Sequence, residues 1–510
     1  MHYKEKLDFF PRIACRIFIC FSLMLPSCSR KMADQPDPVP DYQSYQQQIY
    51  VMLDTVVKSR QEKLVSYLDE IRKNAEAIQQ DPLMMSFFKA KKDYYQVSQE
   101  MAIPVTIESQ ILELKKSVQE HYVHKYMNFY DILFINPDGD VFYTIKQEDD
   151  YHKNIFHEET LSGTALAKRM QSMSAKSFVD FQFYQISGEP SAFFVVPVAD
   201  GNEITGWIAL QFVITKINSL FANDSKIGAT GEVFLVNKDH FMLTDSRFKA
   251  HSTILRQKLS DENINSKFQE RKGHKVVIDY RNNRALSSFE VFQFLESEWL
   301  IIAKLNEDEV LTRYFKSFTD TLLNKIGASV PPATTEISNG TLVEKHARQA
   351  DIDEVVRSVD GPLKTIGVSE CTAILIHFPG RFSYLAHISP YDAIYGQNKT
   401  DILGQLLRKI NYLEIKKIEK SQLQITVIAP HKHAWRNVVK KLVGEGIFLS
   451  QIQLVHKTNA WFANILHSPE KGETWVEWHM PDNSRRHTII TPETFPNLGF
   501  LLHQNFSGKS

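Results

Sequence analysis

The chain has 510 residues, which is long enough for several domains that each bury a core of their own. Its composition is that of an ordinary globular protein, with 43% hydrophobic and 23% charged residues. The 59 basic residues are balanced by 60 acidic ones, so the charge gives no case for a nucleic-acid partner and we expect none.

The first 30 residues have the pattern of an export signal. Basic residues precede an apolar run over 17–25, which ends in Pro26-Ser27-Cys28. This end resembles a bacterial lipobox, and the resemblance implies that Cys28 is lipidated. Because Arg16 shortens the apolar core, residues 1–28 could instead form an uncleaved signal anchor, and this alternative remains open. Either way, we expect an extracytoplasmic (periplasmic) protein that is held to the membrane through its N-terminus.

Helical periodicity begins after a Pro-rich spacer. Apolar residues at steps of three and four predict a long amphipathic helix, and Asp81-Pro82 ends it. A second helix follows with the same period. The two apolar stripes are Ile49, Leu53, Val56, Leu68, Ile71, Ala75 and Ile78, then Ile107, Ile111, Leu114, Val118 and Tyr122.

From Asp131 onward the pattern is typical of strands. Residues 132–135 and 141–143 predict a hairpin across the turn residues Asn136-Pro137-Asp138-Gly139. Further strands are predicted at 192–198, 207–213, 232–236, 275–279, 285–290 and 299–304, with helices at 214–221 and 307–325.

Several of these segments resemble the double-Cache domains of bacterial chemoreceptors and sensor kinases. They are 131–143 (DILFINPDGDVFY), 187–194 (SGEPSAFF), 228–237 (GATGEVFLVN) and 245–248 (DSRF), with 299–304 as the family's last strand. The resemblance implies a sensor over 41–325, with a distal module at about 128–225 and a proximal module at about 228–305. By the same resemblance, two stacked PAS-like antiparallel sheets lie beside the long helix, and the distal one binds a small molecule.

Candidate ligand-binding residues are the polar and aromatic side chains around the distal sheet. The Arg and the Trp-Tyr pair of the family's amino-acid-binding members are not found in this sequence. We therefore name Tyr143, Asp180, Tyr184 and Ser187, because an Asp holds a ligand amine and an aromatic ring covers an organic cation. For each of them a structural role is the competing interpretation, and for Tyr184, as for Phe193, that role is a place in the core.

The region after the sensor has a linker composition. No stretch around 307–325 approaches the roughly 20 apolar residues of a membrane span. Residues 326–349 include Pro331-Pro332 and several Ser and Thr, which predicts a linker. The remainder, 350–510, alternates strands and helices, so the expected fold class is α+β, with a separate small α/β sandwich domain after the sensor.

Cys371 and His387 form the most reactive candidate pair. They lie at the two ends of a predicted hairpin that turns at Pro379-Gly380, so the strands bring them side by side. A thiolate is a nucleophile and needs a nearby base to form at neutral pH. Thr365 is placed to orient or polarise this pair. A carboxylate at Glu370, directly before the Cys, would raise the pKa of the thiol.

The segments 365–371 (TIGVSEC) and 385–389 (LAHIS) resemble the chemoreceptor glutamine deamidase CheD and the N-terminal asparagine amidohydrolases. The resemblance implies that Cys371 is the nucleophile, that His387 is the base and that Thr365 assists. The glycines that shape the substrate cleft in that family are replaced here, at 430–432 and 457–461.

The sequence thus predicts a small-molecule sensor joined to a cysteine-dependent amidohydrolase, with no cofactor. His431, His433 and His456 lack the spacing of a metal site, and we expect no metal. Further expected partners are the membrane, through the N-terminus, and a membrane receptor or another protein substrate. The alternative function is a ligand-binding signalling lipoprotein whose C-terminal domain is a scaffold for a partner.

Overall fold

The computed structural model describes residues 41–100, 105–173, 175–201, 203–222, 227–329, 336–337, 346–393, 401–412, 422–431, 434–457, 459–491 and 495–507. Cys28, the leader, much of the linker and His433 lie outside these ranges, so the predictions made for them stay predictions. Within the described residues, no helix has both the length and the hydrophobicity to cross a membrane.

A long helix, α1 (Tyr42–Ala77), opens the described chain. Asp41 caps it, because its carboxylate accepts a hydrogen bond from Ser44 N at 2.8 Å. The predicted break is confirmed, since α2 (Pro82–Glu100) begins at the proline and α3 (Val105–His121) follows it. One position in the predicted stripe of α1 is wrong: Val57 is buried and Val56 is not, because the 3.6-residue period favours the position four residues after Leu53. In the second predicted stripe, Ile107 is exposed.

The first five-stranded sheet, sheet 1, has the strand order β2-β1-β5-β4-β3, and all its pairs are antiparallel. The predicted hairpin is confirmed, with Gly139 at φ 95° in its turn. Two helices that the sequence pattern missed lie between β2 and β3. The elements are β1 (Asp131–Ile135), β2 (Val141–Thr144), α4 (Glu159–Ser162), α5 (Ala165–Ser172), β3 (Ser177–Tyr184), β4 (Glu189–Asp200) and β5 (Glu203–Val213).

The second sheet, sheet 2, is also antiparallel, with the order β6-β9-β8-β7. The helix predicted over 307–325 is interrupted at Phe318, where φ is −132°. The elements are α6 (Thr215–Phe221), β6 (Glu232–Val236), α7 (Asp261–Glu270), β7 (Lys272–Ile278), β8 (Arg284–Phe294), β9 (Ser297–Asn306), α8 (Glu307–Ser317) and α9 (Thr319–Ser329).

Helix α1 contacts both of these sheets. Its first half reaches sheet 2, where Asp54 accepts from His274 Nε2 at 2.9 Å and Tyr50 stacks on the same imidazole. Its second half reaches sheet 1, where Glu76 pairs with Lys176 at 2.6 Å. The chain is therefore mixed α/β, with an N-terminal helix beside two antiparallel sheets.

The C-terminal region contains sheet 3, with the order β12-β15-β14-β16-β17, and sheet 4, with the order β10-β20-β19-β18-β13-β11. Their elements are β10 (Glu336–Ile337), β11 (Arg348–Gln349), β12 (Glu354–Ser358), β13 (Leu363–Val368), β14 (Thr372–Phe378), β15 (Phe382–Ile388), α10 (Pro390–Ala393), α11 (Ile402–Tyr412), β16 (Gln424–Ala429), α12 (Ala434–Gly444), β17 (Ile452–His456), β18 (Phe462–Ser468), β19 (Glu473–His479), β20 (Arg485–Ile490) and α13 (Leu498–Ser507).

Sheets 3 and 4 bury a common core. Ala373, Ile428 and Val455 of sheet 3 pack in one cluster with Ile465 and Trp478 of sheet 4. Helices α11 and α12 contact sheet 3. Residues 40–510 form one compact unit, so the predicted boundaries at 326 and 350 stay predictions.

Candidate functional site

Buried acidic and amide side chains meet at one end of sheet 1. Asp131 begins β1, and Gln211 on β5 lies directly opposite it. Asp131 alternates with Leu133 and Ile135, which belong to the core of this face, so its carboxylate points to the same side. Asp150, from the loop after β2, joins them through Tyr184 at the end of β3. We call Asp131, Asp150, Tyr184 and Gln211 the acid cluster.

Only some of the polar atoms in this cluster form hydrogen bonds. Asp131 Oδ1 accepts from the backbone N–H groups of Ile132 at 2.7 Å and Lys146 at 3.0 Å. Tyr184 donates its phenolic proton to Asp150 Oδ2 at 3.0 Å. Gln211 Nε2 donates to two serine hydroxyls, Ser187 at 3.0 Å and Ser191 at 2.9 Å.

The remaining oxygens of the cluster are buried acceptors without a donor. Within the described residues, Asp131 Oδ2, Asp150 Oδ1 and Gln211 Oε1 have no hydrogen-bond partner, and neither does Oε2 of the neighbouring Glu148. Asp131 and Gln211 are fully buried, and Asp150 is 1% exposed. Buried polar atoms normally have partners, so four orphaned acceptors together mark a place that a donor would occupy.

Burial raises the pKa values of both carboxyl groups. Desolvation raises the pKa of Asp131 to about 7, and the charge of Asp150 adds to it. Desolvation also raises the pKa of Asp150 to about 6, although the hydrogen bond from Tyr184 opposes the shift. Since no Lys or Arg forms an ion pair with either group in the part of the chain that the structure describes, the cluster lacks positive charge.

The four predicted ligand-binding residues do not all meet. Tyr184 and Ser187 lie in or against the acid cluster. Tyr143 packs its ring on Phe87 and Phe134, on the opposite face of sheet 1. Asp180 is elsewhere too, because Trp299 Nε1 of sheet 2 donates to its carboxylate at 2.9 and 3.0 Å.

Sequence reasoning missed Asp131, Asp150 and Gln211. A signal for Asp131 was available, since this residue begins a strand that is otherwise apolar, DILFI. Asp150 carried no comparable signal, because it lies in a polar loop and only the fold brings it to Tyr184.

The second candidate site lies between sheets 3 and 4. His387 pairs with Ala373 of β14, and Cys371 stands two residues before Ala373, so the thiol and the imidazole are diagonal neighbours on one face. Thr365 of sheet 4 reaches this face, with Oγ1 2.8 Å from His387 Nδ1. The same hydroxyl donates to Ala350 O at 2.8 Å.

This arrangement fixes the tautomer of His387. Because Thr365 gives its single proton to the carbonyl, it accepts from Nδ1–H, and the lone pair of the imidazole is then on Nε2. Nε2 is buried and has no hydrogen-bond partner within the described residues. Burial also lowers the pKa of His387, although Asp353 and Asp351 oppose this shift.

Cys371 is in its neutral thiol form at pH 7. Burial raises its pKa to about 11, and the carboxylates of Asp353 and Glu370 add to the effect. Among the described residues no hydrogen bond joins Cys371 to His387. The site therefore holds a neutral base and a neutral thiol on one face, without the contact that would activate the thiol.

No group of three His, Cys, Asp or Glu that could hold a metal ion occurs in the described ranges.

No protein-family model and no curated protein matches the sequence. Solved structures align with about half of the chain. An extracellular ligand-binding receptor from Desulfohalobium retbaense has 10% identity and a TM-score of 0.35, over 50% of this chain and 40% of that one. The chain thus covers less than half of that receptor.

Two sensor domains align over nearly their whole length. The ligand-binding domain of the Pseudomonas aeruginosa amino acid chemoreceptor PctC, solved in complex with GABA, has 14% identity and a TM-score of 0.35, over 50% of this chain and 99% of that one. The sensor domain of the V. cholerae histidine kinase DctB has 12% identity and a TM-score of 0.34, over 50% and 100%. TM-scores below 0.5 establish neither a shared fold nor a shared ligand.

Proposed function

We propose that this protein is an extracytoplasmic sensor and that the acid cluster of sheet 1 binds a small organic cation. The observation that carries the proposal is the set of buried, unpartnered acceptors: Asp131 Oδ2, Asp150 Oδ1 and Gln211 Oε1. An ammonium group supplies the donors and the positive charge that these atoms lack.

An aromatic pair beside the cluster favours an organic amine. Tyr184 and Phe193 form an edge-to-face aromatic pair beside the carboxylates, with ring centroids 5.0 Å apart. Aromatic faces attract organic cations, so the ring of Tyr184 adds to the carboxylates. The double-Cache resemblance and the predicted export signal support a sensor outside the cytoplasm, and the lipobox-like sequence at Cys28 supports a lipid anchor.

Calorimetric titration of the protein with putrescine and tyramine tests the ligand class. We expect at least one of these amines to bind, and Asp131→Asn to weaken it by about tenfold or more, because a buried charged hydrogen bond contributes about 1.5–3 kcal/mol. Asp150→Asn should act in the same direction.

Asp138→Asn is the matched control. Asp138 is exposed in the β1–β2 turn, so its variant removes the same charge from the same sheet without touching the cluster. Equal weakening by Asp138→Asn and Asp131→Asn, or no binding of any amine, would contradict the proposal.

A second candidate function is favoured by the hydrogen bond between Thr365 and His387. It is amide hydrolysis by Cys371. His387 Nε2 removes the thiol proton, the sulfur attacks the carbon of a side-chain or terminal carboxamide, and the C–N bond breaks. The same proton leaves with the nitrogen as ammonia, and water then cleaves the thioester to the acid and the free thiol. Thr365 holds the imidazole in the required tautomer.

Labelling with iodoacetamide at pH 7 tests this function. If Cys371 is the nucleophile, it should react faster than a free peptide thiol despite its burial, and His387→Gln should abolish the difference, because only a nearby base lowers the effective pKa of this buried thiol. Slower labelling than the peptide thiol, together with an unchanged phenotype of Cys371→Ala, would instead favour the alternative in which the C-terminal region is a scaffold for a partner.

A further inference from the structure

The face of sheet 1 that carries the acid cluster also carries a buried donor without an acceptor. This donor is Nε2 of Gln182 on β3, which has no hydrogen-bond partner within the described residues. The orphaned atoms of the acid cluster itself, on Asp131, Asp150 and Gln211, are all acceptors. Buried polar atoms normally have partners, so Gln182 is a further exception and has the opposite hydrogen-bonding character.

The orientation of the Gln182 amide is fixed by its other end. Its Oε1 accepts from the backbone N–H of Ala165, the first residue of α5, at 2.6 Å. If the amide were turned round, its NH2 group would point at that N–H, and two donors would face each other. Nε2 therefore keeps its hydrogens for a partner that brings an acceptor.

Strand register places Gln182 on the same face as the acid cluster. Gln182 pairs with Ser191 of β4, and directly opposed side chains of an antiparallel pair point to the same side. The hydroxyl of Ser191 accepts from Gln211 Nε2 at 2.9 Å, so this serine connects the position of Gln182 to the cluster. Helix α5, which holds the Gln182 amide, also packs Leu166 and Met170 into the core of that face.

The acid cluster and Gln182 require different groups on one ligand. The cluster lacks donors and positive charge, which an ammonium group supplies, whereas Gln182 lacks an acceptor. A ligand carboxylate is a poor acceptor at this place, because the ionised carboxyl groups of Asp131 and Asp150 repel it. A neutral oxygen, of a hydroxyl or a carbonyl group, satisfies Gln182 without that repulsion.

We propose that Gln182 determines the ligand specificity of the acid cluster, by donating to a neutral oxygen of a ligand whose ammonium group is held by Asp131 and Asp150. The ligand is then an amino alcohol or an amino amide rather than a simple alkylamine. This inference rests on the proposed amine site and adds a second point of contact to it. A ligand without the oxygen leaves the buried donor unsatisfied, and this cost discriminates against it.

Calorimetric titration with matched pairs of amines tests this specificity. The two members of a pair have equal numbers of heavy atoms and differ only in a terminal hydroxyl or methyl group. The pairs are ethanolamine with propylamine, propanolamine with butylamine, and butanolamine with pentylamine. We expect at least one amino alcohol to bind about two- to tenfold more tightly than its partner, which is the range of one neutral hydrogen bond.

Gln182→Met removes the donor and keeps an unbranched side chain. We expect the preference for the amino alcohol to disappear in this variant, while the matched alkylamine still binds. Gln293→Met is the control, because it makes the same change at an exposed position of sheet 2 and should leave the preference intact.

A further ligand covers the case in which Gln182→Met does not fold. Methoxyethylamine has as many heavy atoms as butylamine, and its ether oxygen accepts hydrogen bonds but cannot donate them. If the ligand oxygen is an acceptor for Gln182, the wild-type protein should bind methoxyethylamine more tightly than butylamine.

Failure of this inference differs from failure of the amine site. If no amine of either kind binds, the proposed sensing function is contradicted and the inference with it. If amines bind and Asp131→Asn weakens them, but no oxygen-bearing amine exceeds its partner, only the role of Gln182 is overturned. A preference that survives Gln182→Met overturns it too, as does tighter binding of β-alanine than of propanolamine, which would show that the second group is anionic.

Discussion

At the scale of single residues, the decisive feature is the absence of partners at buried polar atoms. Asp131 illustrates this, because one of its oxygens is held by two backbone N–H groups while the other has no donor within the described chain. The acid cluster of sheet 1 thus contains buried acceptors that the described chain leaves without donors.

A pH dependence of stability follows from Asp131. Its pKa is about 7 in the folded chain, compared with about 3.8 for the unfolded residue, so folding favours the protonated form. This contribution to stability is fully present below pH 4 and is lost as the pH rises through 7. We expect Asp131→Asn, measured by urea unfolding at pH 8 without ligand, to be more stable than the wild type by up to about 4 kcal/mol.

The comparison at pH 4 is the control for this prediction, since the wild-type carboxyl is protonated there and the two proteins should differ little. A variant that is less stable than the wild type at pH 8 would show that the ionised Asp131 is satisfied by the protein itself.

At the scale of elements, helix α8 connects the region of sheet 2 with the C-terminal region. Glu309 accepts from Ala229 N and Thr230 N, at 3.1 and 2.7 Å, in the segment before β6. Asp308 accepts from the N–H of Ser450 at 3.2 Å and from its hydroxyl, near the start of β17. Consecutive residues of one helical turn thus hold parts of the chain that are far apart in sequence.

We expect Asp308→Ala to lower the free energy of unfolding by about 1–3 kcal/mol, because it removes two hydrogen bonds to a carboxylate that is largely desolvated. Asp320→Ala is the matched control. It breaks only the pair with Lys440, in which the Asp320 side chain is 86% exposed, and should cost at most about 1 kcal/mol. Equal losses in the two variants, measured by urea unfolding, would mean that the α8 contact is no more than a surface contact.

At the scale of the whole molecule, the C-terminal sheets are joined by a buried polar chain as well as by apolar packing. Ser383 of sheet 3 is hydrogen-bonded to His377 Nδ1 at 2.8 Å and to His467 Nε2 of sheet 4 at 2.9 Å. His467 Nδ1 lies 3.0 Å from Thr474 Oγ1. Desolvation lowers the pKa of His467 to about 3 and also lowers the pKa of His377.

Acid should therefore loosen this pair of sheets. Burial disfavours the charged form of both imidazoles in the fold. For His467, the contribution to stability is therefore present above pH 6.5 and is lost as the pH falls towards 3. We expect His467→Gln to reduce the loss of stability between pH 6.5 and pH 4, as measured by urea unfolding, because a neutral amide replaces the group that gains a proton. An unchanged slope would show that the fold tolerates a charged His467.

Local sequence patterns were enough to predict the order and type of many elements. The Pro82 break, the apolar stripe of α1 and the alternation of β1 are local patterns, and each of these elements formed where it was predicted. The pairing of β14 with β15, which brings Cys371 and His387 to one face, could also be predicted from the sequence, because the two strands of a hairpin are close together in the chain.

Which buried side chains lack hydrogen-bond partners could not be predicted from local patterns, because it depends on the packing of the whole fold. Asp150 and Tyr184 are hydrogen-bonded although they are 34 residues apart in the sequence. Thr365 and His387 are hydrogen-bonded although they lie on strands of two different sheets. Burial and hydrogen bonding depend on every element that packs against a residue, whereas a sequence pattern reports only its neighbours along the chain. For the same reason Asp180, which resembles a ligand-binding residue in the sequence, is satisfied by Trp299 in the fold.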